Sequence, residues 1–374
     1  MKKIVIMATV LGMVYSSSVF AGPFTISNVT CTDIGASTLC STSGVMDGVR
    51  TKLKQIETDI NKGLPPVDGE RYANGMANSA VLTSKGLGVD YASNIKLFTI
   101  GGSAGIAIDA GANGLSGMSN GAATMSGLGG SFSGVFGLNL GVFSLPKLGP
   151  IDFKKMIVFV NVGYVNVGSL VGKAMGEGGS VSGSLTTVGL NARYRVIPEV
   201  SLLPFGLFAW SGLDITSGIN YSSMKIQLTA EFSESLSNNL GGGVNMSGNY
   251  NGTLTFGPDL GILTVPVDVS SGIRVLNIFR LYAGLGLDIN LGYSEIAAKV
   301  PGKVSGSLSG GGNSSTVNAD AGLDLSAKGA ADYLAMRFFG GLQLDFSVLN
   351  IFVQYNTAIT SGTHGVSMGA RIYW

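Results

Sequence analysis

The chain has 374 residues, a net charge of +1 and 58 glycines, and only 12% of its residues are charged. So even a balance gives no reason to expect a nucleic-acid partner. Mean hydropathy is +0.38, yet no run of roughly 18 apolar residues follows the first stretch, which excludes a helical membrane span. Membrane strands need only about 10 residues with every second one apolar, and they spread hydrophobicity as evenly as this chain does.

The N-terminus reads as an export signal. Lys2-Lys3 precede an almost wholly apolar stretch from Ile4 to Val14. Val19-Phe20-Ala21 then forms a small-x-small ending, so cleavage is expected after Ala21 and the mature start at Gly22. Cys31 and Cys40, close together in an oxidising compartment, are expected to form a local disulfide. From about Ser43 to Lys62, Val45, Val49, Leu53, Ile56 and Ile60 recur at steps of three and four, which predicts an amphipathic helix. Gly63 and Pro65-Pro66 end it. A second helical pattern follows, with Tyr72, Met76 and Ala80 on one side. Residues 22–94 thus read as a small helical N-terminal element, periplasmic or lodged in a lumen.

From about Ile95 to the last residue the period becomes 2. In Met224 to Ser233, Met, Ile, Leu, Ala and Phe alternate with Lys, Gln, Thr, Glu and Ser. From Arg280 to Tyr293 the apolar set is Leu281, Ala283, Leu285, Leu287, Ile289, Leu291 and Tyr293. Leu334 to Phe346 alternates in the same way. With weaker segments these make about 14 strands (12–16), several longer than the usual 5–6 residues. The expected fold is therefore all-β: a transmembrane antiparallel β-barrel over 95–374. Tight connections at Ile197-Pro198-Glu199, Leu276-Asn277 and Leu349-Asn350 fall on the side of the C-terminus, taken as periplasmic. Longer ones near 109–130, 169–182 and 294–302 fall outside. The repeat Val275-Leu276-Asn277-Ile278-Phe279 and Val348-Leu349-Asn350-Ile351-Phe352 reads as a reused hairpin turn.

The last strand carries the most specific signal. Ser367, Gly369, Ile372 and Trp374 place a polar residue, a glycine, an apolar residue and a final aromatic at set spacing. This resembles the terminal strand by which bacterial outer-membrane β-barrel proteins are recognised for assembly, although that family usually ends in Phe. The resemblance implies outer-membrane lipid and the barrel-assembly machinery as partners. Val366, Met368, Ala370, Ile372 and Trp374 share one face, which would meet lipid with the indole at the interface. A secreted β-sandwich also alternates, but its outer face would carry more charge than this chain has. A helical, disulfide-stapled piece ahead of a barrel is similar in architecture to plugged fatty-acid and hydrophobic-compound transporters. The texture of the chain also resembles surface-exposed barrels of spirochaete type, whose proposed roles include host-matrix adhesion.

Catalytic chemistry finds little support. His364 is the only histidine and falls in a turn expected outside; no acidic cluster has metal-ligand spacing, and no cofactor or enzymatic activity is expected. Asp320, Asp324 and Lys328 read as lumen charges. Gly101-Gly102-Ser103-Ala104-Gly105 and Gly310-Gly311-Gly312 lack the strand-to-helix setting of a phosphate loop. The lumen set expected from alternation is Arg193, Arg195, Lys225, Glu231, Arg274, Arg280, Asp288, Arg337 and Asp345. It serves either as a selective constriction or as struts. The leading function is a channel or transporter in which small solutes diffuse along a wet, mixed-charge lumen. The alternative is a surface protein or adhesin binding extracellular proteins through its outer loops.

Overall fold

The computed structural model describes residues 24–63, 68–111, 126–143, 145–168, 179–203, 207–241 and 243–374. The expected signal segment and its cleavage site lie outside these. The first elements are β1 (Thr25–Asp33), α1 (Val45–Gly63) and α2 (Gly69–Thr83). Asp47 and Lys62 complement the dipole of α1 at its two ends. Asp68 caps α2, its side chain accepting from Arg71 N at 3.0 Å.

The remaining strands are β2 (Phe98–Asp109), β3 (Gly127–Asn139), β4 (Met156–Asn166), β5 (Gly179–Ile197), β6 (Val200–Ser201), β7 (Phe208–Gly241) and β8 (Val244–Val275). They continue with β9 (Phe279–Gly310), β10 (Asn313–Gly329), β11 (Leu334–Phe346), β12 (Leu349–Ala358) and β13 (Thr363–Tyr373). All thirteen belong to one sheet, and the ladders between them are antiparallel.

Followed around, the ladders run β2-β3-β4-β5-β7-β8-β9-β11-β12-β13 and return to β2 through pairs from Thr363↔Asp109 to Tyr373↔Thr99. Ten strands therefore form a hydrogen-bonded ring with no free edge. Its near end carries Trp374 and the turns at Leu276-Asn277 and Ser347. Its far end carries the turns at Gly243, Gly311-Gly312 and Gly362. Leu276 and Asn277 both adopt positive φ, 55° and 59°, as a two-residue hairpin of mirror-image type requires.

Fourteen alternating segments become fewer strands because β7, β8 and β9 are each a single strand that alternation had read as two. The alternation breaks for a physical reason. In β9, Leu281, Leu285, Leu287, Leu291 and Tyr293 face out and are exposed, while Arg280, Tyr282, Asp288 and Asn290 are buried. Beyond Tyr293 the faces trade character: Ile296, Ala298, Val300, Val304 and Leu308 are buried inward and Lys299 and Lys303 point out. The same exchange occurs in β8 between Leu263 and Leu260, and in β7 between Tyr221 and Met224. Register aligns these levels, Tyr221 with Leu263 and Tyr293 with Gly261. Below this line the ring is polar inside and apolar outside, as a bilayer demands. Above it the same strands are apolar inside and polar outside, as water demands.

Above the line, β10 pairs with β9 over Ser294–Gly310, and β1 pairs with β10. This distal sheet reaches roughly 50 Å past the apolar band at about 3.3 Å per residue. Its inner face packs on α1 through Val49, Leu53, Met246, Tyr250, Val304, Leu308 and Val317. Cys31 and Cys40 are disulfide-bonded, tying the end of β1 to the approach to α1.

Several expectations are corrected. Residues 294–302 are part of β9 rather than an outer loop, because β10 supplies their partner. The two copies of the five-residue repeat occupy different registers: Asn277 is in the turn, whereas Asn350 lies in β12 with its side chain buried. Asp320, Asp324 and Lys328 are exposed on β10 and face solvent, not a lumen. The glycines of 101–105 lie within β2, while Gly311 and Gly312 make the β9–β10 turn with φ of 57° and 81°.

Candidate functional site: an ion-paired segment inside the ring

The interior of the ring is occupied by α2 and residues 84–95. The helix enters from the far end. Tyr72 and Ala73 pack against Ile296, and Ala77, Ala80 and Val81 against Met224, Leu260 and Ile262. Seating depends on missing side chains. A Cβ on Gly127 would overlap the Gly75 backbone, and one on Gly129 would crowd Ser79, so α2 lies almost directly on β3.

From Ser84 the chain descends to the near end, and each step is held by the wall. Lys85 Nζ lies 2.9 Å from Asp288. Arg337 reaches both Asp268 at 2.6 Å and Asp288 at 3.2 Å, and Tyr91 Oη donates to Asp268 at 2.7 Å. Asp90 lies between Arg193 of β5 at 3.9 Å and Arg371 of β13 at 3.7 Å. Its Oδ1 also accepts from the amides of Ala92 and Ser93.

The arginines bind the segment's backbone as well. Arg193 donates to the carbonyls of Asp90 and Ser93. Arg371 donates to Gly86 O at 3.2 Å and Val89 O at 2.8 Å. Arg280 donates to Ala92 O at 2.7 Å and pairs with Asp345. At the near end Arg195 pairs with Asp214 at 3.1 Å and reaches Asn94, and Arg274 pairs with Glu199 at 2.7 Å. Asn139 then donates to Ile95 O, and the amide of Leu97 meets Trp374 O at 2.6 Å.

Seven bases and six carboxylates enter these interior pairs. Their near balance matters, because an unpaired charge held away from water costs several kcal/mol. Aromatic rings line the same wall: Arg371 lies over Phe352 at 4.0 Å and Arg337 over Phe339 at 5.0 Å. Asn161, Asn191 and Asn220 add a ladder of side-chain amides across β4, β5 and β7.

Of the lumen charges expected from alternation, Arg193, Arg280, Asp288, Arg337 and Asp345 are buried inside the ring and joined by these pairs. Arg195 and Arg274 lie at its near end, partly exposed. Lys225 and Glu231 are corrected: both point outward, and the Lys225 side chain is 71% exposed beside Asp259. They sit above the level where inside and outside trade polarity: the outward parity of β7 is apolar in the band, at Ile215, Ile219 and Tyr221, and polar above it.

Sequence reading missed Lys85, Asp90, Asp214, Asp268 and Arg371. Asp268 and Arg371 lie on the inward parity of their strands and were legible by alternation. Lys85 and Asp90 lie in a segment with no period at all. In the terminal strand, Ser367 and Arg371 are buried inward, while Met368, Ile372 and Trp374 are exposed outward. The Trp374 ring stacks on Phe98 with centroids 5.5 Å apart.

His364 lies in β13, opposite Thr357, rather than in a turn. Its Nδ1 is 2.7 Å from Tyr355 Oη and the two rings stack. Among the described residues no cluster of His, Cys, Asp or Glu could hold a metal ion.

Comparison with known proteins decides the family. The Lsa36-like family model matches residues 27–374. The chain belongs to the Lsa36-like family. No curated protein matches this Lsa36-like chain in sequence. Among solved structures it is similar to the CymD monoaromatic hydrocarbon channel, at 9% identity and a TM-score of 0.25, with 81% of this chain and 98% of that chain covered. It is also similar to the transport unit of the autotransporter AIDA-I from Escherichia coli, at 10% identity and a TM-score of 0.25, covering 82% and 100%. A Pseudomonas aeruginosa FadL homologue gives 8% identity and a TM-score of 0.22, covering 80% and 98%.

Proposed function

We propose that this Lsa36-like protein is an outer-membrane barrel channel for small solutes, held shut by its own residues 84–95. The carrying observation is that this segment fills the ring, held by ion pairs and arginine-to-carbonyl hydrogen bonds along its length and by Val89, Tyr91, Ala92 and Ile95 packed on Val135, Ile157, Phe159, Tyr282 and Phe339. The polar groups are re-satisfied by water when the segment leaves, and the apolar contacts of Val89, Tyr91 and Ile95 set the cost that keeps it in place. Free diffusion along a wet lumen is replaced in this reading by gated passage. The solute class is small and polar or mixed in charge, to match the wall that would remain.

A second reading, surface display, is favoured by the distal sheet, whose outer face is available to extracellular proteins. One experiment separates the two. Ser93 Oγ lies 3.0 Å from Asn350 Nδ2, so cysteines at both positions should lock the segment to β12. Proteoliposomes carrying the double variant should take up small solutes when reduced and stop when oxidised. Uptake in neither state would remove the channel and leave surface display.

A further inference from the structure

We infer that residues 24–63 lie on the outer surface of the cell, because residues 84–95 cross the membrane through the barrel itself. This rests on the outer-membrane reading above and adds to it which side the N-terminal cap occupies.

Parity carries the inference. Ten strands in the ring leave its first and last residues at the same end, where Leu97 N meets Trp374 O. The segment before β2 does not stay there. Descending contacts trace it through the interior: Thr83 O beside Gly105, then Lys85 on Asp288, Asp90 between Arg193 and Arg371, and Asn94 on Arg195. The crossing made by residues 84–95 is an eleventh. It puts β1, the disulfide and α1 at the far end, above the level of Tyr221 and Tyr293, where the strands carry lysine and aspartate outward. There β1 completes the distal sheet, with Cys31 opposite Val317 and Thr25 opposite Gly322.

The crossing also constrains assembly. The ring is closed by hydrogen bonds all round, and the α1 cap with its disulfide stands outside one mouth. A cap already folded could not be drawn through an interior packed with side chains, so the strands must close around the segment. Arg371 and Ser103, from the two strands that meet at the β13–β2 seam, both bind it, through Val89 O and Leu87 O. The segment is thus positioned to template closure of that seam.

Cysteine reporters test the sidedness in intact cells with a membrane-impermeant maleimide. Lys54→Cys lies on α1, with Gln55→Cys as a second reporter there, Asn313→Cys at the β9–β10 turn and Lys147→Cys at the near end. Each is scored only in protein that shows a folded gel band. Labelling at positions 54, 55 and 313, with 147 labelled only after permeabilisation, is the expected result. Labelling at 313 without 54 or 55 would overturn the inference while leaving the outer-membrane reading intact. Labelling at 147 in intact cells, alone or with the rest, would overturn both.

Discussion

At the residue scale, Arg337 shows how the interior is stabilised. Its guanidinium meets Asp268 and Asp288, donates to Asn356 and covers Phe339. Removing it would leave two carboxylates short of a partner in a dry site, which costs about 3–5 kcal/mol. Arg337→Ala is therefore expected to lower the urea midpoint of the folded band steeply. Arg337→Lys should recover little, because a point charge cannot bridge two carboxylates as a planar fork does. A midpoint unchanged in Arg337→Ala would show that the pairs contribute nothing net. Arg337 was legible from alternation alone, since its parity opposes Met336 and Phe338. The charges of the segment, Lys85 on Asp288 and Asp90 between Arg193 and Arg371, were not legible, because they sit where neither period applies and only the folded ring brings them to the wall.

At the element scale, the cap and α2 make separable demands. Asp33 accepts from Cys40 N at 2.8 Å and from Ser315 Oγ at 2.6 Å, and these bonds hold its carboxyl below the usual carboxylate range. A depressed folded value means the stabilisation is present above the unfolded pKa, near 4, and is lost as pH falls through the folded value. Protease release of β1 should accordingly rise below about pH 4 and be nearly flat from pH 5 to 8. Asp33→Asn should flatten that acid dependence; an acid dependence as steep as the parent's would place the titrating group elsewhere. For α2 the demand is steric. Gly127→Val puts atoms where the Gly75 backbone lies, so the helix is expected to be displaced, with residues 84–95 becoming sensitive to protease while the ring keeps its gel shift. Both helices were legible from steps of three and four, and Val49 and Leu53 are indeed among the most buried residues. Which faces they cover was not legible, because alternation alone assigns the distal sheet that receives α1 to lumen strands and outer loops.

At the scale of the whole molecule, two solvents are written into single strands. The outward parity of β9 is apolar and mostly leucine up to Leu291, has an aromatic at Tyr293, and carries Glu295, Lys299, Lys303 and serines beyond it. An arginine at Leu285, in the apolar band, should cost about 2–4 kcal/mol and lower the folded yield in bilayers. An arginine at Thr255, on the same face of β8 but above Tyr293, should cost almost nothing. Equal penalties at the two positions would erase the boundary. Trp374→Asp should likewise lower outer-membrane assembly, since the indole stacks on Phe98 at the near interface. The barrel, its inward and outward parity and the near-end turns at 198–199 and 276–277 were legible in the sequence, because a period of 2 survives burial. The number of strands, about 14 expected against 13 in the sheet, was legible as well, but where β7, β8 and β9 begin and end was not. A change of solvent within a strand looks, in one dimension, like the end of one strand and the start of another.

The most direct test of a ring closed by its own segment is conductance of the folded band in a planar bilayer. The parent protein is expected to be closed most of the time with brief openings, and Arg193→Ala combined with Arg371→Ala, which frees Asp90 and the carbonyls of Gly86, Val89 and Ser93, should raise the open fraction. A steady open pore in the parent protein would contradict the occupied interior outright.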